Sequence, residues 1–235
     1  MTPKIGFMMT AVGADGDDDQ SWYRQLIGDA ELGASLGFDA GWIVEHHFSN
    51  YQPTPNTLLM LAHIAARCPT LGLGTAVIVT PWHQPLRLAE EIAMLSLLTK
   101  APLRIGLGRG NAPLARRYVP GWYQLQLERY AFDAVKYASV RGYQPFTDGM
   151  KCRQTWSNPD NLDSLIDVSF IGSPESVRAK VQKYLDLGYD YLLLNASTPG
   201  MPEHMRHDWL TRFARDVLPY LGRQATPESA KVAMA

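Results

Sequence analysis

Four short apolar runs, at residues 4–9, 41–48, 71–79 and 103–108, alternate with three stretches of helical period. Runs of this length bounded by turn residues read as strands. The intervening stretches, about 20–36, 54–67 and 85–98, carry apolar residues at helical spacing. In the first, Trp22, Leu26 and Gly33 form one stripe and Tyr23, Ile27, Ala30 and Ala34 the adjoining one. Two stripes side by side suit a helix laid broadly on a sheet. A crossover helix returns the chain to the end of the sheet where it started, so the strands pair in parallel. The expected class is α/β, as a (β/α) barrel or a doubly wound sheet.

Turn chemistry sets the expected boundaries. Gly37 stops the first helix, since glycine tolerates a left-handed cap. Thr54-Pro55 reads as N-cap and first residue of the second helix. After residue 110 the pattern thins: a helix over about 122–140, a loop rich in Gly, Pro, Asn and Asp, and one short strand at 165–171. Ser173-Pro174 then opens a helix with Val177, Val181, Tyr184 and Leu185 on its buried stripe, and Gly188 closes it. A last strand at 191–194 and a last helix at about 202–218 follow. Residues 1–222 are expected to form one domain, and 223–235 to fray as a tail.

Composition excludes several classes of function. A formal net charge of −1 leaves no basic excess to neutralise phosphates, so no nucleic-acid partner is expected. The two cysteines, Cys68 and Cys152, stand far apart and suit a reducing compartment. The amino terminus does not read as a signal peptide, and no apolar run reaches membrane-spanning length. The expectation is a cytoplasmic protein without a membrane partner. The acidic stretch Asp15–Asp19 fails as a calcium loop, because Gln20 and Leu26 fill its glycine and bidentate-carboxylate positions. It suits the positive end of the helix that follows. Gly106, Gly108 and Gly110 fail as a dinucleotide loop, because the motif's third glycine would fall on Asn111. Side-chain-free positions at a strand end clear room for a ligand or for another backbone. His204 and His207, three apart beside Glu203, lack an evident third ligand and read as a solvated face, so no metal is expected.

The candidate chemistry gathers at Gly41-Trp42-Ile43-Val44-Glu45-His46-His47-Phe48, an apolar strand running into a carboxylate and two imidazoles. Ionisable groups at the carboxyl end of a parallel sheet are how such folds present a reactive site. The plain alternative is a strand cap, one imidazole solvated and the other bonded to a carbonyl. The aromatics Phe7, Phe48, Tyr51 and Trp82 would line the mouth of such a site or pack the core.

Four segments together resemble the bacterial luciferase-like family of flavin monooxygenases. They are Glu45-His46-His47-Phe48, residues 73–81 (Leu-Gly-Thr-Ala-Val-Ile-Val-Thr-Pro), residues 85–91 (Pro-Leu-Arg-Leu-Ala-Glu-Glu) and Gly106-Leu107-Gly108-Arg109-Gly110. The likeness resumes at 171–176. The resemblance implies a TIM-type (β/α) barrel. This chain would form it incompletely, with five or six strands, because the segment around the family's fifth to seventh strands is largely missing. In size it is similar to shortened, non-fluorescent flavoproteins of that family.

The same resemblance implies a flavin-dependent monooxygenase acting on a small apolar organic substrate with oxygen and reduced FMN delivered by a flavin reductase. It leaves open a non-catalytic flavin binder, a regulatory subunit of a heterodimer, or a deazaflavin-dependent reductase. His46 takes the family's base position, with Glu45 and His47 orienting it. Thr75-Ala76-Val77 matches a third-strand bulge whose cis peptide, here Ala76–Val77, lies against the flavin ring. Arg109 matches the arginine near the flavin phosphate, against a strand-end salt bridge as the alternative. The helix start at Ser173 is a second anion site. The family's histidine before Pro85 is Gln84 here, and His83 stands one residue early. A homodimer through the flanks of the early helices is implied as well.

Overall fold

The computed structural model describes residues 3–10, 18–47, 52–108, 110, 166, 169–196 and 201–221. Among them, strands β1 (Lys4–Met8), β2 (Ala40–Ile43), β3 (Gly72–Val79), β4 (Leu103–Gly108) and β5 (Tyr191–Leu194) form one sheet in the order β4-β3-β2-β1-β5. Every pairing is parallel. Helices α1 (Asp19–Ser35), α2 (Thr57–Arg67) and α3 (Pro85–Leu98) make the crossovers of the first half; α4 (Pro174–Asp186) and α5 (Glu203–Asp216) flank β5. No helix among the described residues is long and apolar enough to cross a membrane.

Alternation along each strand sorts the side chains between two faces. Ile5, Phe7, Ile43 and Leu73 are buried against the helices. α1 starts on Asp18, whose carboxylate accepts the Ser21 N–H at 2.6 Å, and stops at Gly37, where φ is +81°. Trp22, Leu26 and Ala30 bury its inner face, and Gly33 admits the Phe7 ring so closely that a Cβ there would collide with it. Aromatic rings carry the core to the other end of the chain: Phe7 meets Phe38 at 5.1 Å, Phe38 meets Phe213 at 6.2 Å, and Phe213 meets Trp209 at 5.1 Å. α5 therefore packs on the same core as the first strand.

The opposite face is concave. Trp42 of β2 donates its Nε1–H to the Tyr191 hydroxyl at 2.7 Å, passing over the bare backbone of Gly6. The Arg104 guanidinium sits 4.8 Å from the Tyr191 ring. Arg104 and Tyr191 lie on β4 and β5, the two ends of the strand order. In a flat sheet four inter-strand spacings would hold them roughly 19 Å apart. The sheet is thus curled into part of a barrel, as expected for an incomplete member of that architecture.

Three boundaries differ from expectation. β2 ends at Ile43, two residues before Glu45. The N-cap of α2 is Asn56, which accepts the Leu59 N–H at 2.9 Å; Thr54 instead takes the His46 N–H on its carbonyl at 3.3 Å. The expected strand at 165–171 is absent from its described residues: Ile166 is helical and Ser169-Phe170 form a turn. The carbonyls of Ser169 and Ile171 each accept from the Lys180 ammonium at 3.0 Å, which a strand pairing would have claimed. The expected helix at 122–140 and the tail at 223–235 lie outside the described residues.

Candidate active site

Glu45 is the centre of the site. Its side chain is 0% exposed, and three donors meet it. His47 Nε2 lies 2.8 Å from Oε1, His83 Nε2 lies 2.9 Å from Oε2 and 3.0 Å from Oε1, and the Val79 N–H donates to Oε2 at 3.0 Å. A buried carboxylate needs such compensation, because losing water without it costs several kcal/mol or more. The bond to Val79 also fixes the loop after β2 to the end of β3. The Trp82 ring lies 4.7 Å from the His47 ring, tilted by 34°. Trp82 thus belongs to the site, whereas Phe7 is fully buried in the core; Phe48 and Tyr51 lie outside the described residues. The plain strand-cap reading of the Glu-His-His run is replaced by a cluster in which two imidazoles share one carboxylate.

The neighbouring strand is irregular by construction. Between Thr75 and Ile78 the β3–β4 register slips: Ala76 and Val77 stand against Gly106 alone, which makes a β-bulge. The Ala76–Val77 peptide is cis, where the resemblance implied it. A Cβ on Gly106 would strike the Thr75 carbonyl oxygen, and one on Gly108 would strike the Val77 side chain. Gly106 therefore makes room for the β3 backbone, and Gly108 for the Val77 side chain. Thr75 Oγ1 secures the bulge, donating to Gly106 O and accepting the Gly106 N–H, both at 3.0 Å. Ala76 and Val77 are half-buried between the buried Thr75 and Ile78, so small apolar side chains are presented beside the Glu45 cluster.

The remaining expected residues divide. His46 is half-buried and adjacent in sequence to the cluster, its main chain tied to Thr54. Ser173 caps α4, its Oγ accepting the Ser176 N–H at 3.3 Å. Two residues on, Glu175 places a carboxylate in that first turn; its own backbone N–H and the Ser173 hydroxyl hold the Glu175 carboxyl below the usual range. Arg109 lies outside the described residues. His207 is not on a solvated face: its Nε2 is 3.0 Å from Asp29 Oδ1. Among the described residues no group of three His, Cys, Asp or Glu can hold a metal. Sequence reasoning missed His83 as a partner of Glu45. The signal was its place just past the end of β3, at the same end of the sheet as Glu45.

A luciferase-like monooxygenase model matches residues 4–119, the segment that holds the cluster and the bulge. Over this segment the chain is similar to the luciferase-like monooxygenase family. An uncharacterized protein of Sinorhizobium fredii, y4vJ, is 39% identical over 104 residues, covering 44% of this chain and 30% of its own length. The oxygenase component of a flavin-dependent trigonelline monooxygenase from Acinetobacter baylyi is 29% identical over 153 residues, covering 63% of this chain and 42% of its own length. The chain thus spans less than half of either luciferase-like relative. The crystal structure of monooxygenase RslO1 from Streptomyces bottropensis superposes with a TM-score of 0.70 at 17% identity, over 92% of this chain and 99% of that one. That likeness concerns the fold.

Proposed function

We propose that this chain is the oxygenase of a two-component flavin monooxygenase, oxidising a small apolar organic substrate with oxygen and reduced FMN supplied by a separate flavin reductase. The carrying observation is the fully buried Glu45 carboxylate with two imidazoles on it, at the carboxyl end of the sheet. Oxygen transfer from a reduced flavin needs protons delivered and withdrawn in a site shielded from bulk water. The residues present fit a flavin ring: Ala76 and Val77 offer a small, half-exposed apolar seat two residues before the strand end that Glu45 holds. Bound reduced flavin supplies the two electrons that activate oxygen. His46 is assigned the base role, Glu45 the orientation of its neighbours, and Arg109 the flavin phosphate, which a guanidinium fork suits. Ser173 is the weaker phosphate candidate, since Glu175 already brings negative charge to that helix start.

The oxygenase-component relative supports the two-component reading, and flavin over deazaflavin. A homodimer is part of the proposal: α3 leaves Leu86 (73%), Met94 (60%) and Leu97 (87%) exposed, which suits a covered face. A cytoplasmic setting, with the reductase as partner, completes it. The second reading is a non-catalytic flavin binder or the regulatory subunit of a heterodimer. What favours it is the small share of its relatives' length that this chain spans. Titration with oxidised and anaerobically reduced FMN tests both. Binding of reduced FMN, weakened roughly 10- to 100-fold by Arg109→Ala, followed by substrate-dependent oxygen uptake supports the first reading. Binding without uptake supports the second, and no binding of either form sinks both.

A further inference from the structure

One of the three donors on Glu45 has no role in the family resemblance. Gln84 fills the position before Pro85, and its Oε1 is engaged in capping α3, accepting the Arg87 N–H at 2.7 Å. His83, one residue earlier, turns the opposite way. The short 3-10 turn Thr80–Trp82 redirects the chain past β3, closed by the His83 N–H on Thr80 O at 3.1 Å. This brings His83 Nε2 within 3.0 Å of both Glu45 oxygens. The His83 side chain is 18% exposed and that of Glu45 is 0% exposed, so solvent reaches the imidazole but not the carboxylate.

We propose that His83 is a proton-carrying residue of this site, exchanging its proton at Nδ1, with Glu45 as its positioning residue; the proposal rests on the monooxygenase reading. An ionised carboxylate only accepts hydrogen bonds, so His83 and His47 each present Nε2–H to Glu45. In each neutral ring the lone pair then sits on Nδ1. An acid H–A in the site gives its proton to the His83 Nδ1 lone pair and keeps the bonding pair as A⁻. The resulting imidazolium keeps its Nε2–H on Glu45, and the reverse step returns the proton. No oxidant or reductant enters this exchange. The carboxylate fixes which nitrogen is reactive and gives the cationic ring a fixed counter-charge, the service an orienting acid performs in other histidine-based sites. Gln84 could not do this, since a side-chain amide neither takes up nor gives up a net proton near neutral pH.

The test joins a spectroscopic arm that needs no flavin to a kinetic arm that does. The full chain, labelled with 15N-histidine, is examined by long-range nitrogen–proton correlation, with each of its six histidines assigned by substitution. The expected result is an Nε2–H tautomer for both His83 and His47, lost from both rings in Glu45→Leu, which removes both acceptor oxygens. In the kinetic arm, oxidation of protein-bound reduced FMN is followed from pH 5.5 to 9. His83→Gln is expected to slow it by roughly 100-fold, to remove one ionisation from the profile, and to respond to added free imidazole. An Nδ1–H tautomer at His83, or one indifferent to Glu45→Leu, overturns the proposal at its geometry. The expected tautomer together with bound flavin and an unmoved pH profile overturns the proton role alone and leaves the monooxygenase reading standing. Failure of the wild type to bind FMN overturns that reading and the proton role with it.

Discussion

Asp29 is where the two ends of the chain meet. Its carboxylate, on α1, accepts from Arg206 at 3.3 and 3.4 Å and from His207 at 3.0 Å, both on α5. Arg206 is 2% exposed, so Asp29→Ala strands a buried guanidinium; breaking such a pair costs about 3–5 kcal/mol. Urea unfolding should show that loss. The His207 bond has a pH signature. The hydrogen bond His207 donates to Asp29 is the main cause that raises the His207 pKa above its ordinary value, against partial burial. A raised folded pKa means stability fully present below the unfolded pKa of about 6.5 and lost as pH climbs through the folded value. Wild-type stability should therefore decline relative to His207→Gln as pH rises above about 6.5. Parallel pH dependence in the two proteins would exclude the linkage. None of this was legible in the sequence: the partners are separated by 177 and 178 positions, and a histidine pair on a polar helix face gives no hint of a carboxylate arriving from elsewhere.

At the scale of elements, the sequence was most informative where local chemistry decides. Pro85 and Leu98 bound α3 as the pattern indicated, and Gly37 and Gly188 end α1 and α4 with positive φ. The second helix shows the limit. Thr54-Pro55 and Asn56 are rival start signals, and the choice falls to the chain path, which uses the Thr54 carbonyl for His46. Asn56→Ala should cost about 1 kcal/mol and speed amide exchange at Leu59, whose N–H that cap holds. The glycines of β4 were legible as room for a ligand or for another backbone, but not as which of the two, since the bulge depends on a register that only pairing defines. Gly106→Ala puts a methyl against the Thr75 carbonyl and should lower stability by about 1–3 kcal/mol. Gly28→Ala, inside α1 with its nearest neighbour at 3.5 Å, should raise stability by up to about 1 kcal/mol. Denaturation midpoints of the two variants should move in opposite directions. In the site, Glu45 and the Ala76–Val77 bulge were visible as motifs, while His83 was hidden by its one-residue offset from the expected place.

Among the described residues, side chains rather than strand pairing span the curl of the sheet between β4 and β5. Tyr191→Phe removes the acceptor of the Trp42 indole N–H and should cost about 1 kcal/mol, read from the unfolding midpoint. Arg104→Ala should also destabilise, and the two losses together should differ from their sum, because both changes loosen one stack. The strand order has a separate consequence, in time rather than in space. Of the described strands β1 is made first, yet it lies inside the sheet with β2 on one side and β5 on the other. Its second neighbour, Tyr191–Leu194, leaves the ribosome only after nearly the whole described chain has been made. At roughly 5–20 residues per second, one edge of β1 waits on the order of ten seconds for its partner. A nascent chain stalled before Tyr191 should therefore carry an unpaired, apolar strand edge, and depend on chaperones that the finished protein has no use for.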